Sequence, residues 1–172
     1  MIGFFLRMIS NRQRAVRVPI RSLKEFFGRA MKEIRLPQNA ASVCFVTNAQ
    51  SAKWNATYRG KNKPTDVLSF PSNDGARRQE KNARLKESNS RARRFSSASS
   101  ASFTSSTSYL GDIAIAPVVA RRNARLYGRT LDQELRILIL HGILHLMGYD
   151  HETDTGQMNR REQRLRRSLG IS

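Results

Sequence analysis

The stretch from Leu131 to Leu146, LDQELRILILHGILHL, constrains this chain more than any other. Leu131, Leu135, Leu138, Ile139, Ile143, Leu144 and Leu146 recur at helical spacing, yet they cover nearly the whole circumference of a helix. Such a helix cannot lie on a surface with one face wet; it must be central and buried. Thr130, with Gln133 three residues on, is a capping-box start, and Gly148 supplies a stop. The remainder of the chain therefore has to supply the layers that cover it.

Those layers read as α/β. Arg12 to Val18 is expected as a short first strand. Pro19 then opens a helix with Leu23, Phe26, Phe27, Ala30, Met31 and Ile34 at helical spacing. Ser42 to Val46, Val67 to Phe70 and Leu110 to Ala116 are compact apolar runs suited to buried strands. Asn48 is expected to cap a short helix through Trp54 and Tyr58, and Pro117 to begin another that ends at Gly128. A last amphipathic helix, about Thr155 to Leu169, carries Met158, Leu165 and Leu169. The expectation is a small mixed four-stranded sheet packed with helices, in one domain over residues 1–172. Within it, Ser72 to Ser108 is rich in Ser and Arg and has only Leu85, Phe95 and Phe103 as large apolar residues. Ordering such a segment costs about 1–2 kcal/mol per residue with little to bury in return, so it reads as a disordered insert. A basic arm and a passive solvated loop fit that composition equally.

Charge narrows the partners. Among 172 residues, 31 Lys and Arg face 13 Asp and Glu, a formal charge of +18. A field of that size attracts polyanions, and nucleic acid is the first expectation. No stretch is long and apolar enough to span a bilayer, and no membrane association is expected. The single cysteine, Cys44, excludes a disulfide framework and a multi-cysteine metal site, which points to a reducing, cytoplasmic setting.

All three histidines fall within HGILHLMGYDH, at His141, His145 and His151. His141 and His145 are four apart, so their rings project from one helix face, one turn apart. Gly148 allows the reversal that brings His151 back toward that face. Three imidazoles with an open fourth position make a catalytic type of zinc site. The spacing is similar to the metzincin protease pattern HExxHxxGxxH. The glutamate that serves as general base there is replaced by Gly142, which argues against peptidase chemistry and is expected to leave room for substrate beside the metal. Asp150, Asp112 and Glu152 are the candidate polar groups nearby, with Asp150 favoured as a turn or outer-shell residue.

A second constellation, YRGKNKPTDVLSFP, runs from Tyr58 to Pro71. Arg59, Lys61 and Lys63 surround Gly60 ahead of a strand, and arginine suits bidentate phosphate contact. An exposed basic turn without a role is the plainer reading. Trp54 and Tyr58 are suited either to stacking on bases or to packing on the core.

Taken together, HGILHLMGYDHE at His141 to Glu152, YRGKNKPTDVLSFP and LGDIAIAP at Leu110 to Pro117 resemble the YbeY family of bacterial metal-dependent endoribonucleases. The resemblance extends to the helix with Met158 and Glu162. It implies a single zinc ion on His141, His145 and His151, with Arg59 as the functionally important arginine that neutralises charge on the scissile phosphate. It also implies cleavage of single-stranded RNA in precursor 16S rRNA, at the 3′ end, and work alongside the ribosome and small-subunit assembly factors in quality control. The Ser/Arg-rich insert departs from the shorter, more acidic segment usual in that family. A ribosome assembly factor with a mainly structural metal is the alternative, and a metzincin-like zinc peptidase a more distant one.

Overall fold

The computed structural model describes residues 8–72, 109–150 and 154–171. Most of the expected 72–108 insert, together with His151 and Glu152, lies outside the described residues. The elements in chain order are β1 (Ile9–Asn11), α1 (Ile20–Ile34), β2 (Ala41–Phe45), α2 (Asn48–Arg59), β3 (Val67–Pro71), β4 (Gly111–Ile115), α3 (Pro117–Leu126), α4 (Leu131–Leu146) and α5 (Gln157–Leu169). The strands form one mixed sheet in the order β1-β2-β4-β3, parallel except for the antiparallel pair of β3 with β4.

The inner face of the sheet carries Ile9, Val43, Phe45, Ile113 and Ile115, all buried. These pack with Phe26, Phe27 and Met31 of α1 and with Leu135, Ile139, Leu140 and Ile143 of α4 in one core. Ten of the sixteen residues of α4 are buried, as its apolar circumference requires. Its N-terminus is closed by the capping box between Thr130 and Gln133. The outer face carries Cys44, Val46, Leu68 and Ala114 in a second, smaller cluster with Trp54 and Phe70, and α2 covers it.

Two boundaries differ from the sequence expectation. The first strand is Ile9–Asn11 rather than Arg12–Val18. Ile9 fills the inner face opposite Val43. The following segment is held by the buried Gln13 side chain, which donates to Val16 O and accepts from Val16 N, both at 2.9 Å, in place of a strand partner. The cap of α2 is Thr47, whose hydroxyl accepts from Gln50 N, and not Asn48.

One contact sets the distance between α4 and the sheet. A Cβ on Gly142 would lie 2.7 Å from Ile113 Cγ2, closer than real carbon contacts allow. Gly142 therefore packs directly against the Ile113 side chain of strand β4, and its carbonyl accepts from Ser69 Oγ of β3 at 3.4 Å. The vacant side-chain position is filled by the sheet, so it gives no room for substrate beside a metal. Gly142→Ala is expected to lower stability by about 1–3 kcal/mol in urea denaturation, despite alanine's better helix propensity. Ile113→Ala made on that background should cost less than Ile113→Ala alone, since the clash is relieved.

Candidate metal centre

Because Gly142 faces the sheet, His141 and His145 on either side of it along α4 turn away from β4. Their Nε2 atoms converge to 3.1 Å, with ring centroids 4.7 Å apart and planes at 77°. Both rings are half-buried. Immediately beyond, Gly148 adopts φ 89°, a conformation open to glycine, and its N–H closes on His145 O at 2.9 Å. The chain thus leaves the helix at once after the second histidine, and Asp150 O accepts from Asp154 N at 2.9 Å.

The outer nitrogen of His141 is held by α5. Glu162 Oε2 lies 2.9 Å from His141 Nδ1, and the other carboxylate oxygen accepts from Arg166. Burial by itself raises the Glu162 pKa, but the hydrogen bond from His141 and the charge of Arg166 outweigh it, and the carboxyl is held below its ordinary value. An ionised carboxylate only accepts hydrogen bonds, so His141 Nδ1 is the donor toward it, and in the neutral ring the lone pair then falls on Nε2, the atom that faces His145. That is the tautomer a metal ligand needs, and the carboxylate–histidine pair is the usual outer support of such a ligand. With no metal bound, the two Nε2 atoms can share a hydrogen bond; the same convergence aims both at one cation.

Sequence reasoning did not assign Glu162 this part, though a signal was there. Met158, Glu162, Leu165 and Leu169 form the buried stripe of α5, and a carboxylate on that stripe requires a partner. Asp154 supplies the start of the same helix, accepting from the N–H groups of Gly156, Gln157 and Met158.

The other expected site residues are distributed as follows. His151, the third proposed ligand, lies outside the described residues, as does Glu152. Among the described residues no group of three or more His, Cys, Asp or Glu side chains forms a metal cluster. Asp112 is on the outer face of the sheet, bonded to Ser42 and to Tyr109 Oη, so it is separated by the sheet from α4. Arg59 is exposed at the last residue of α2, the helix that covers the outer face of the sheet. Trp54 and Tyr58 set their rings edge-on to Phe70 at 5.5 and 5.2 Å, with Tyr58 still 66% exposed. Trp54 is thus a packing residue, whereas Tyr58 keeps most of its surface free of the core. The basic turn itself is anchored from beneath: buried Asn55 donates to Lys63 O and buried Ser51 to Thr65 O, each at 2.7 Å.

The family model described as Endoribonuclease YbeY matches residues 8–170. The chain belongs to the YbeY family. Proteins named Endoribonuclease YbeY from Solibacter usitatus and Koribacter versatilis are each 34% identical to it. The alignments cover 87% of this chain and 79% of the first relative, and 95% and 86% for the second. The solution structure of a Thermotoga maritima protein aligns with a TM-score of 0.53 over 94% of this chain and 87% of that one, at 23% identity, and so shares the fold. The match thus reaches every described element of the YbeY domain, from β1 to the end of α5.

Glu162→Gln should lower zinc affinity by roughly 10–100-fold, measured by competition with a chromophoric chelator. The metal-free protein gives a second check. The folded-state pKa of Glu162 is depressed, so its stabilising share is complete above the unfolded value of about 4.3 and fades as pH falls through the lower, folded one. The difference in stability between the parent and Glu162→Gln should therefore shrink toward zero in strong acid.

Proposed function

We propose that this YbeY-family chain is a zinc-dependent, single-strand-specific endoribonuclease that matures the 3′ end of precursor 16S rRNA in the cytoplasm, in company with the assembling small subunit. The observation that carries the reading is the convergence of the His141 and His145 Nε2 atoms at 3.1 Å, with Glu162 Oε2 2.9 Å from His141 Nδ1. His141, His145 and His151 would hold the ion. A bound zinc there would supply Lewis acidity toward a phosphoryl oxygen or a water.

The chain's own residues do the rest. Glu162 and Arg166 hold the His141 ring. The His141 side chain remains 26% exposed, which favours a centre that solvent and substrate can reach. Arg59 is assigned to the scissile phosphate, where a fixed cation stabilises charge that develops during cleavage. Its backbone neighbours are clamped by Ser51 and Asn55, which keeps the basic turn from relaxing toward solvent. Gly142 offers no carboxylate, and its side-chain position faces Ile113, so no general base of the zinc-peptidase kind arises from this helix. Among the described residues no helix is long and apolar enough to cross a bilayer.

Purified protein should contain close to one zinc per chain, and His141→Ala or His145→Ala should lose both the metal and cleavage of precursor rRNA while keeping the helical circular-dichroism signal. Global unfolding on zinc removal would instead favour the assembly factor with a structural metal. Arg59→Ala should keep zinc and lower kcat by roughly 10²–10³-fold. A 2′,3′-cyclic phosphate at the product end would assign the ribose hydroxyl as nucleophile.

A further inference from the structure

The charge of this chain is not spread evenly over its helices. On α1 four exposed cations share the surface with two exposed acids: Arg21 pairs with Glu25 at 3.4 Å, and Lys32 is followed by Glu33. On α5 there are five arginines, and Glu162 is the only acid. Glu162 is buried and bonded to His141 and Arg166, so nothing acidic is left on the outer face of this helix. Arg160, Arg164 and Arg167 are all exposed, and their i, i+4, i+7 spacing places them in one stripe opposite the Met158, Glu162, Leu165 and Leu169 stripe that faces the core.

Local energetics account for only part of that stripe, since Arg167 in the last turn is favoured by the helix dipole. Like charges three and four apart weaken a helix, and Arg160 stands in the first turn, where the helix dipole disfavours a cation. Arg160 bonds to Thr155 O at 3.1 Å, which fixes one guanidinium nitrogen without neutralising it. The arrangement is relieved by an anion laid along the helix. Arginine is the side chain whose planar fork matches phosphate oxygens, and three in line match a chain of phosphates better than a single anion.

We infer that the outer face of α5, through Arg160, Arg164 and Arg167, is an auxiliary binding surface for the sugar-phosphate backbone of RNA. This rests on the endoribonuclease reading for the choice of polyanion. The surface lies about one helix diameter, roughly 10 Å, from the His141 side of the same helix. It therefore holds a flank of a long substrate and does not touch the reacting phosphate. Arg166 is excluded from the stripe because Glu162 occupies it.

The test replaces Arg160, Arg164 and Arg167 together by Gln in the zinc-loaded protein. Binding of a long, single-stranded 2′-O-methyl oligouridine is followed by fluorescence anisotropy across a salt series. Removing one cation from a phosphate of a single strand lowers the slope of log K against log salt by about 0.7, so the triple variant should show a slope smaller by about 2. A control variant, Lys24→Gln with Arg29→Gln and Lys32→Gln, removes the same charge from the mixed face of α1 and should change the slope by clearly less. In cleavage assays the α5 variant should raise KM for long RNA, leave kcat and zinc content unchanged, and leave an oligonucleotide of a few residues unaffected. An unchanged slope, or an equal decrease in the α1 variant, overturns the inference. Should the triple variant not fold, Arg164→Gln alone should lower the slope by about 0.7, and no change in it overturns the inference equally. A protein that binds through α5 but cleaves nothing would instead refute the endoribonuclease reading and leave this surface standing.

Discussion

Burial of α4 on nearly all sides is the constraint from which the rest of the structure follows. A helix with Leu, Ile and Gly around most of its circumference has little to offer water, so β4 and β3 cover one side while α1, α3 and α5 close most of the rest, leaving the two histidines half-buried. The contact of Gly142 with Ile113 sets how near the sheet approaches. It also fixes the rotation of the helix about its axis. Once Gly142 faces the sheet, the residues on either side of it are committed to other directions, and the two histidines share one of them.

The polar chemistry is arranged around that commitment. Placing imidazoles on an apolar helix is unfavourable unless their nitrogens are satisfied. For His141 the fold solves this from the C-terminal helix, where the Glu162 carboxylate accepts a hydrogen bond from Nδ1 and is itself paired with Arg166. The result is a chain of three charged or polar groups whose last member leaves a lone pair on Nε2. The hydrogen bond that satisfies the buried carboxylate also sets which ring nitrogen of His141 is the donor.

The cationic character of the chain divides into different physical roles. Some positive groups are used internally, such as Arg129 on buried Glu134 at 3.0 Å and Arg136 on Asp132 at 2.7 Å. Others, on the turn from Arg59 to Lys63, ride on a backbone clamped by two buried polar side chains. The arginines on the outer face of α5 belong to neither class. A net charge alone cannot distinguish these uses, because each depends on which neighbour lies within a few ångströms.

Much of this was written in the sequence. The 3.6-residue pattern of α1, the capping box of α4 and the three compact apolar runs determined their elements, because local hydrogen bonding and hydrophobic period act over a few residues. The i, i+4 spacing of His141 and His145 determined that their rings share a face. Arg12 to Val18 misled because its strand partner is distant: only the opposed Val43 selects Ile9, and Gln13 then takes the place of a ladder. Gly142 misled for the same reason, since nothing near it in the chain tells that Ile113 occupies the space. Glu162 as the support of His141 and Asp112 on the far side of the sheet are likewise decisions of tertiary structure. They depend on which faces of distant elements meet, and periodicity along one segment carries no information about that.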